Sequence, residues 1–222
     1  MSFKRARHIE PEVLDHQVPE RAVPSLRDLV RINQLTGGHG VLRKALQACV
    51  AKSDAFTMLD VGAASGDAAK VVGASYPHAR VVNLDYRPDH LNAARGMRIV
   101  ADAFHLPFPD RSFDIVYCGL FLHHFDTESC LRLLHSFGRI ARRFVIVNDL
   151  ERHILPWYFL GATKWIFRWD PLTLHDGPIS VQAGFTGKEL EHLARGAGLV
   201  NPVVIVHRPA FRVCLLAGAA IS

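Results

Sequence analysis

The stretch Met58-Leu59-Asp60-Val61-Gly62-Ala63-Ala64-Ser65-Gly66-Asp67 restricts the possible folds of this chain more than any other. Thr57 to Val61 is a short apolar run with a β-branched residue at each end, which reads as a buried strand. Five small residues follow, and Asp67-Ala68-Ala69-Lys70-Val71-Val72 then has helical composition. Strand, small-residue turn and helix make the opening half of a nucleotide-binding βαβ unit. Glycines let the backbone pass close to a ligand, and the helix start offers unpaired N–H groups.

The turn discriminates among nucleotides. A dinucleotide fingerprint needs Gly two residues after the first Gly and Gly or Ala three beyond that, but Ala64 and Asp67 stand there. Asp60 at the strand end and Asp67 at the helix start favour a ligand carrying positive charge. The pattern resembles motif I of the class I S-adenosylmethionine methyltransferases, acidic-x-Gly-x-Gly-x-Gly, with Ala64 in place of the middle glycine. The resemblance implies an α/β, Rossmann-like, seven-stranded sheet of five parallel strands and a terminal antiparallel hairpin, with helices on both faces and a helical cap. It also implies S-adenosyl-L-methionine as cofactor, S-adenosyl-L-homocysteine as product, and Asp60, Gly62, Ala63, Ala64, Ser65 and Gly66 in the cofactor loop. A tight turn that binds nothing is the alternative.

Further segments fit the same plan. Ala79 to Asp85 is a second strand ending in an acid, about 20 residues past Gly62, where a carboxylate meets a ribose diol. In class I methyltransferases this acid does that task, so Asp85, with Tyr86 beside it, is assigned to the cofactor. A short helix over 88–96 and a third strand over 97–103 follow. Ala101-Asp102-Ala103, then Leu106-Pro107-Phe108, looks like the segment whose Asp accepts from the adenine amino group and whose next N–H meets the ring. Asp102 and Ala103 take those places. Ser112 to Gly119 is a fourth strand, and Phe113-Asp114-Ile115-Val116 resembles motif IV of small-molecule methyltransferases. Leu122-His123-His124 is similar to the ubiquinone/menaquinone-type C-methyltransferases and their relatives. Loops past the carboxyl ends of strands border the ligands, which brings in Gly119 and Leu120.

Asp126 is placed to cap a helix through Ala141, with Leu131, Leu134, His135 and Ile140 towards the core, and a fifth strand runs from Arg143 to Asn148. All three tryptophans lie between there and Phe185. That segment, 149–185, reads as a cap over an apolar or aromatic acceptor, with Asp149, Trp157 and Trp165 assigned to substrate. Filler under the sheet edge and a helix dipping into a membrane surface are the competing readings. His175-Asp176-Gly177-Pro178 reads as a turn able to aim an imidazole inward. The candidate bases are His175 and His123, then His124, because methyl transfer needs positioning and removal of a proton, and imidazole titrates near neutrality. Asp149 or Asp176 would orient the base. Thr186 to Glu189 is a capping box, and two closing strands follow.

Before all this, residues 1–24 read as an irregular lead-in, Ser25 as the cap of a helix from Leu26, and Val41 to Ala51 as a second helix. Arg27, Arg31 and Asn33 are within possible reach of the ligand. The whole, 1–222, is expected to be one domain with a helical lead-in over 1–52.

Composition narrows the function. With 222 residues, 49% of them hydrophobic, one full core is attainable. The net charge of +5 has no aromatic-interleaved basic patch or nucleic-acid-binding module beside it, so no nucleic-acid partner is expected. The four cysteines are scattered, and no carboxylate cluster is evident, so no metal is expected. With no apolar secretory signal and no long apolar run, a cytoplasmic location without membrane insertion is expected. The resemblance to bacterial small-molecule methyltransferases implies an aromatic, phenolic or quinol-like acceptor, methylated on oxygen or carbon. A nucleic-acid methyltransferase and a non-catalytic binding module on the same fold stay open.

Overall fold

Described in the computed structural model are residues 3–14 and 19–219. Short aliphatic runs form β1 (Thr57–Val61), β2 (Arg80–Asp85), β3 (Met97–Val100), β4 (Phe113–Gly119), β5 (Ala141–Leu150), β6 (Val200–His207) and β7 (Arg212–Gly218). They make one seven-stranded sheet in the order β3-β2-β1-β4-β5-β7-β6. Pairing is parallel from β3 through β5, and β7 runs antiparallel between β5 and β6. This is the expected Rossmann-like architecture with its terminal hairpin.

The period-2 alternation of strands divides the core between two faces. Leu59, Val116, Val145 and Val147 point to one side, where they meet Leu133, Leu134 and Phe137 of α4 (Thr127–Ile140) and Leu190 and Leu193 of α7 (Gly187–Gly196). Met58, Ile115, Tyr117 and Ile146 point to the other, against Leu42 and Leu46 of α2 (Gly38–Cys49) and Val71 and Val72 of α3 (Asp67–Ser75). Helix starts follow their capping chemistry. Asp126 accepts from the Ser129 amide at 2.7 Å, and Thr186 and Glu189 complete a capping box.

Three further helices lie over the carboxyl ends of the strands: α1 (Pro19–Leu35), α5 (Ile154–Phe167) and α6 (Pro171–Ala183). Here the sequence reading needs correction. α1 starts at Pro19, and Ser25 lies inside it, its hydroxyl bonded to Thr173 of α6 at 2.9 Å instead of capping. His175-Asp176-Gly177-Pro178 is not a turn but part of α6, which continues through Pro178. The helix expected over 88–96 is a single 3-10 turn, His90–Ala93, because only Leu91 and Ala94 bury there, against Ala63. β3 stops at Val100, and His135 on α4 faces solvent.

The lead-in is organised by contacts made elsewhere in the chain; its residues 15–18 lie outside the described ones. Segment 3–14 runs as a strap across α6 and the loop after β4. Gln182 donates to the carbonyls of Lys4 and Ala6, Arg152 to that of Arg5, and Arg7 to those of His123, Phe125 and Ala183. The buried Asp176 accepts the Val13 and Leu14 amides at 3.2 and 2.9 Å. Replacing Asp176 by alanine strands those two amides and should cost about 1–3 kcal/mol. Urea unfolding and faster proteolytic cleavage within residues 3–14 are the measurements that check it.

Candidate active site

The strand order reverses at β1, between β2 and β4, and the crevice past the carboxyl ends of such strands is where open α/β sheets bind ligands. A cavity of about 960 Å³ opens there. Its floor is the small-residue loop: Gly62 and Ala64 line it, and the loop's positive φ angles at Gly62, Ala64 and Gly66 turn the chain sharply into α3. Gly62 is required twice over, since its φ is +71° and a Cβ there would sit 2.5 Å from the Phe121 ring. Ala64, at the place of the middle motif glycine, holds φ 43° and so carries the strain that a glycine would lack.

Asp85, at the end of β2, accepts the Ala64 amide at 3.0 Å through one oxygen and the Arg87 amide at 3.0 Å through the other. It lines the cavity with Tyr86, Asp102, Ala103 and Leu120. Asp102 accepts the Phe104 amide at 2.9 Å and contacts His105 Nδ1 at 2.8 Å, fixing the turn after β3. Asp60 lies below the loop, 2% exposed, and its Oδ2 has no hydrogen-bond partner among the described residues. Burial, and the nearby Asp67 and Asp85, push its carboxyl well above the usual range. A small cleft of about 30 Å³ bordered by Asp60, Ala63 and Gly119 adjoins it. A donor cation reaching that cleft would satisfy Asp60 and return it to the carboxylate. Asp67, also read as a ligand acid, is already bonded to His39 of α2 at 2.7 Å and to Asn33. Of the other lead-in side chains, Arg31 pairs with Asp28 and the Phe167 carbonyl, while Asn33 bridges Asp67 and Arg212.

At the other end of the cavity stand Glu12, His123 and His124. Asp149, at the end of β5, is fully buried behind them and does not line the cavity. Its Oδ1 meets His123 Nδ1 at 2.7 Å, while Nε2 of the same ring lies 3.6 Å from Glu12 Oε1. His124 stacks on His123 with ring centroids 4.3 Å apart, its Nδ1 4.0 Å from the Glu12 carboxylate. Ser180 of α6 also bonds Glu12. Burial opposes charge on His123, but Asp149 and Glu12 outweigh it and raise the imidazole to about 10. Burial likewise works against both carboxylates, and His123 brings Glu12 and Asp149 down to about 2 each. His123 is therefore an imidazolium between two carboxylates. Glu12, His123 and His124 also lie close enough together to hold a metal ion.

The structure thus brings Asp60, Gly62, Ala64, Asp85, Tyr86, Asp102, Ala103, Leu120, His123 and His124 to one crevice. It does not bring in His175, which sits half-exposed on α6, paired with Asp176. Trp157 and Trp165 do not line the cavity either; Tyr158 and Phe159 of the same helix do. Glu12 was invisible to sequence reasoning, since an acid in a non-periodic lead-in carries no local signal.

Residues 59–143 match the methyltransferase domain family. The chain is 30% identical over 134 residues to the demethylmenaquinone methyltransferase of Thermotoga maritima, covering 56% of this chain and 58% of that protein. It is 35% identical over 116 residues to malonyl-[acyl-carrier protein] O-methyltransferase 1 of Coxiella burnetii, covering 46% and 41%. The chain thus spans only about half the length of these curated relatives. A SAM-dependent methyltransferase structure from Aquifex aeolicus superposes with a TM-score of 0.63 at 14% identity, over 92% of this chain and 100% of that one. The fold is that of class I methyltransferases, and the segment holding the loop, Asp85, Asp102, His123 and His124 is the part that matches the methyltransferase domain family.

Two measurements test this geometry. Ala64→Gly should relieve the positive-φ strain and stabilise the protein by about 1 kcal/mol, read as a rise of roughly 2–4 °C in Tm. The His123 pair should also shape stability against pH. A raised histidine stabilises fully below its ordinary 6.5, and that contribution fades as pH climbs towards about 10. The depressed carboxylates stabilise above their ordinary 4.5 and 3.8 and lose that contribution as pH falls towards about 2. Denaturant titrations from pH 5 to 9 should show stability falling above about 6.5, and His123→Gln should flatten that slope.

Proposed function

We propose that this chain transfers the methyl group of S-adenosyl-L-methionine to a small, apolar, aromatic acceptor of phenolic or quinol-like type, on oxygen or carbon. The observation that carries this is the single cavity joining Asp85 and the small-residue loop to Glu12, His123 and His124. Its volume of about 960 Å³ suits two ligands side by side. The demethylmenaquinone methyltransferase among its relatives favours a quinol-like acceptor.

Asp85 takes the ribose diol, the turn at Asp102 and Ala103 the adenine edge, and Asp60 with the adjoining cleft the methionine ammonium. S-adenosyl-L-methionine supplies the electrophilic methyl when bound, and the protein's task is to place a nucleophile in line with it. Leu26 and Leu29 of α1, Tyr158 and Phe159 of α5 and Phe121 after β4 wall the acceptor end and keep water out. His123, bonded to Asp149 through one ring nitrogen and facing Glu12 with the other, fixes the Glu12 carboxylate beside His124. His124, at the cavity wall beside Glu12, takes the proton. In this reading His123 is a positioning residue and His124 is the base; His175 has no part.

Calorimetric titration with S-adenosyl-L-homocysteine, with NADH as control, tests the cofactor reading. Micromolar binding to the homocysteine product and at least a tenfold loss in Asp85→Ala are expected; a response to NADH alone would overturn it. With a phenolic acceptor in hand, His124→Ala should lower kcat about 100-fold or more with little change in KM.

A further inference from the structure

α5 has the wrong surface for a helix facing water. Its outward stripe is Ile154, Leu155, Tyr158, Gly161, Ala162, Trp165 and Ile166, exposed residues recurring at helical spacing. Trp165 is 83% exposed and Ile166 75%, where a soluble surface helix would place charge. The inner side is apolar too, since Phe159 and Leu160 turn to the cavity. Three members of the outer stripe, Leu155, Tyr158 and Ala162, line that same cavity, so the bare stripe is continuous with its rim.

Exposed basic residues stand at both ends of the stripe. Lys164 and Arg168, both exposed, are the charged residues of its C-terminal end, and the Lys164 ammonium lies 5.1 Å from the Trp165 ring centroid. Beyond the N-terminal end, the strap carries exposed Lys4 and Arg5, and Lys4 shares a cleft with Trp157, whose ring meets Phe3 edge-on at 6.4 Å. Glu10, in the same cleft, is paired with His8 at 2.9 Å. The sequence as a whole carries +5.

We propose that α5 docks this protein onto the surface of an anionic lipid bilayer. An apolar stripe with tryptophan and tyrosine, flanked by lysine and arginine, lies at the boundary of headgroups and acyl chains and adds attraction to anionic lipid. The helix lies on the membrane and does not span it. Its 14 residues reach about 21 Å, against roughly 30 Å of hydrocarbon. No described helix is long and apolar enough to cross. Docked this way, the cavity rim at Leu155 and Tyr158 faces the acyl region, and a lipophilic acceptor enters without crossing water; this last step rests on the methyl-transfer reading.

The test is cosedimentation with vesicles of phosphatidylcholine containing about a quarter phosphatidylglycerol, against pure phosphatidylcholine. The protein should bind the anionic vesicles, weaken with added salt, and shift its tryptophan emission to the blue. Trp165→Ser combined with Ile166→Ser should lose about tenfold or more in partitioning while keeping homocysteine-product binding. A Lys164→Glu, Arg168→Glu variant should lose the preference for anionic lipid, and it decides the matter if the serine variant fails to fold. Absence of vesicle binding at low salt would overturn the proposal, as would equal binding by the variants. So would a dimer that the serine substitutions convert to monomer without any vesicle binding, which would make a second copy the occupant. Product titration of the wild type without vesicles reports on the cofactor site separately, so either reading can fail alone.

Discussion

The contact between Asp149 and His123 sits where three distant parts of the chain meet. Asp149 ends β5, His123 follows β4, and Glu12 arrives on a strap from the other end of the sequence. Burying a carboxylate and an imidazolium is expensive unless each offsets the other's desolvation. Here the Leu150 and His123 amides also donate to Asp149, so both its oxygens are used. Such a pair adds little net stability compared with an apolar replacement, but it fixes where a positive charge stands. The rest of the acceptor end is arranged around that charge.

The strap shows how that arrangement is held. Its backbone is satisfied by side chains of α6 and of the segment leading into α5: Asp176, Gln182 and Arg152. Arg7 in turn donates to carbonyls of the loop carrying His123. Burial pulls the Arg7 guanidinium down from its ordinary range, and nearby acids counter it only in part. The polar network therefore ties lead-in, α6 and the loop after β4 into one unit, and Glu12 is placed by that network and not by any periodicity of its own.

At the cofactor end the logic is backbone geometry. Three successive requirements meet in the loop after β1: left-handed φ at Gly62, Ala64 and Gly66, no side chain against Phe121, and an amide aimed at Asp85. Asp60, buried with an oxygen unpartnered among the described residues, is an expensive feature for an empty fold and a useful one for a cationic ligand. The two ends thus differ: a buried carboxyl with an unpartnered oxygen lies below the loop, and an imidazole held between two carboxylates lies at the far end of the cavity.

By itself the sequence determined the sheet, its strand pattern and the acids that border the crevice, because these depend on local signals: apolar runs of strand length, small residues at a sharp turn, and acids at strand ends. Asp60, Asp85 and Asp102 were legible for that reason, as were His123 and His124. Tertiary structure decided the end of the cavity that holds Glu12, His123 and His124. Whether His175 faces the cavity depends on the rotation of α6, whose His-Asp-Gly-Pro stretch reads locally as a turn. Trp157 and Trp165 were sound aromatic candidates by composition, yet the packing of α5 turned Tyr158 and Phe159 to the cavity instead. Glu12 reaches His123 across more than a hundred residues of sequence, a contact made by the fold of side-chain hydrogen bonds alone. Local propensity writes the elements; which faces meet is set by long-range burial and pairing, and that is where this site is made.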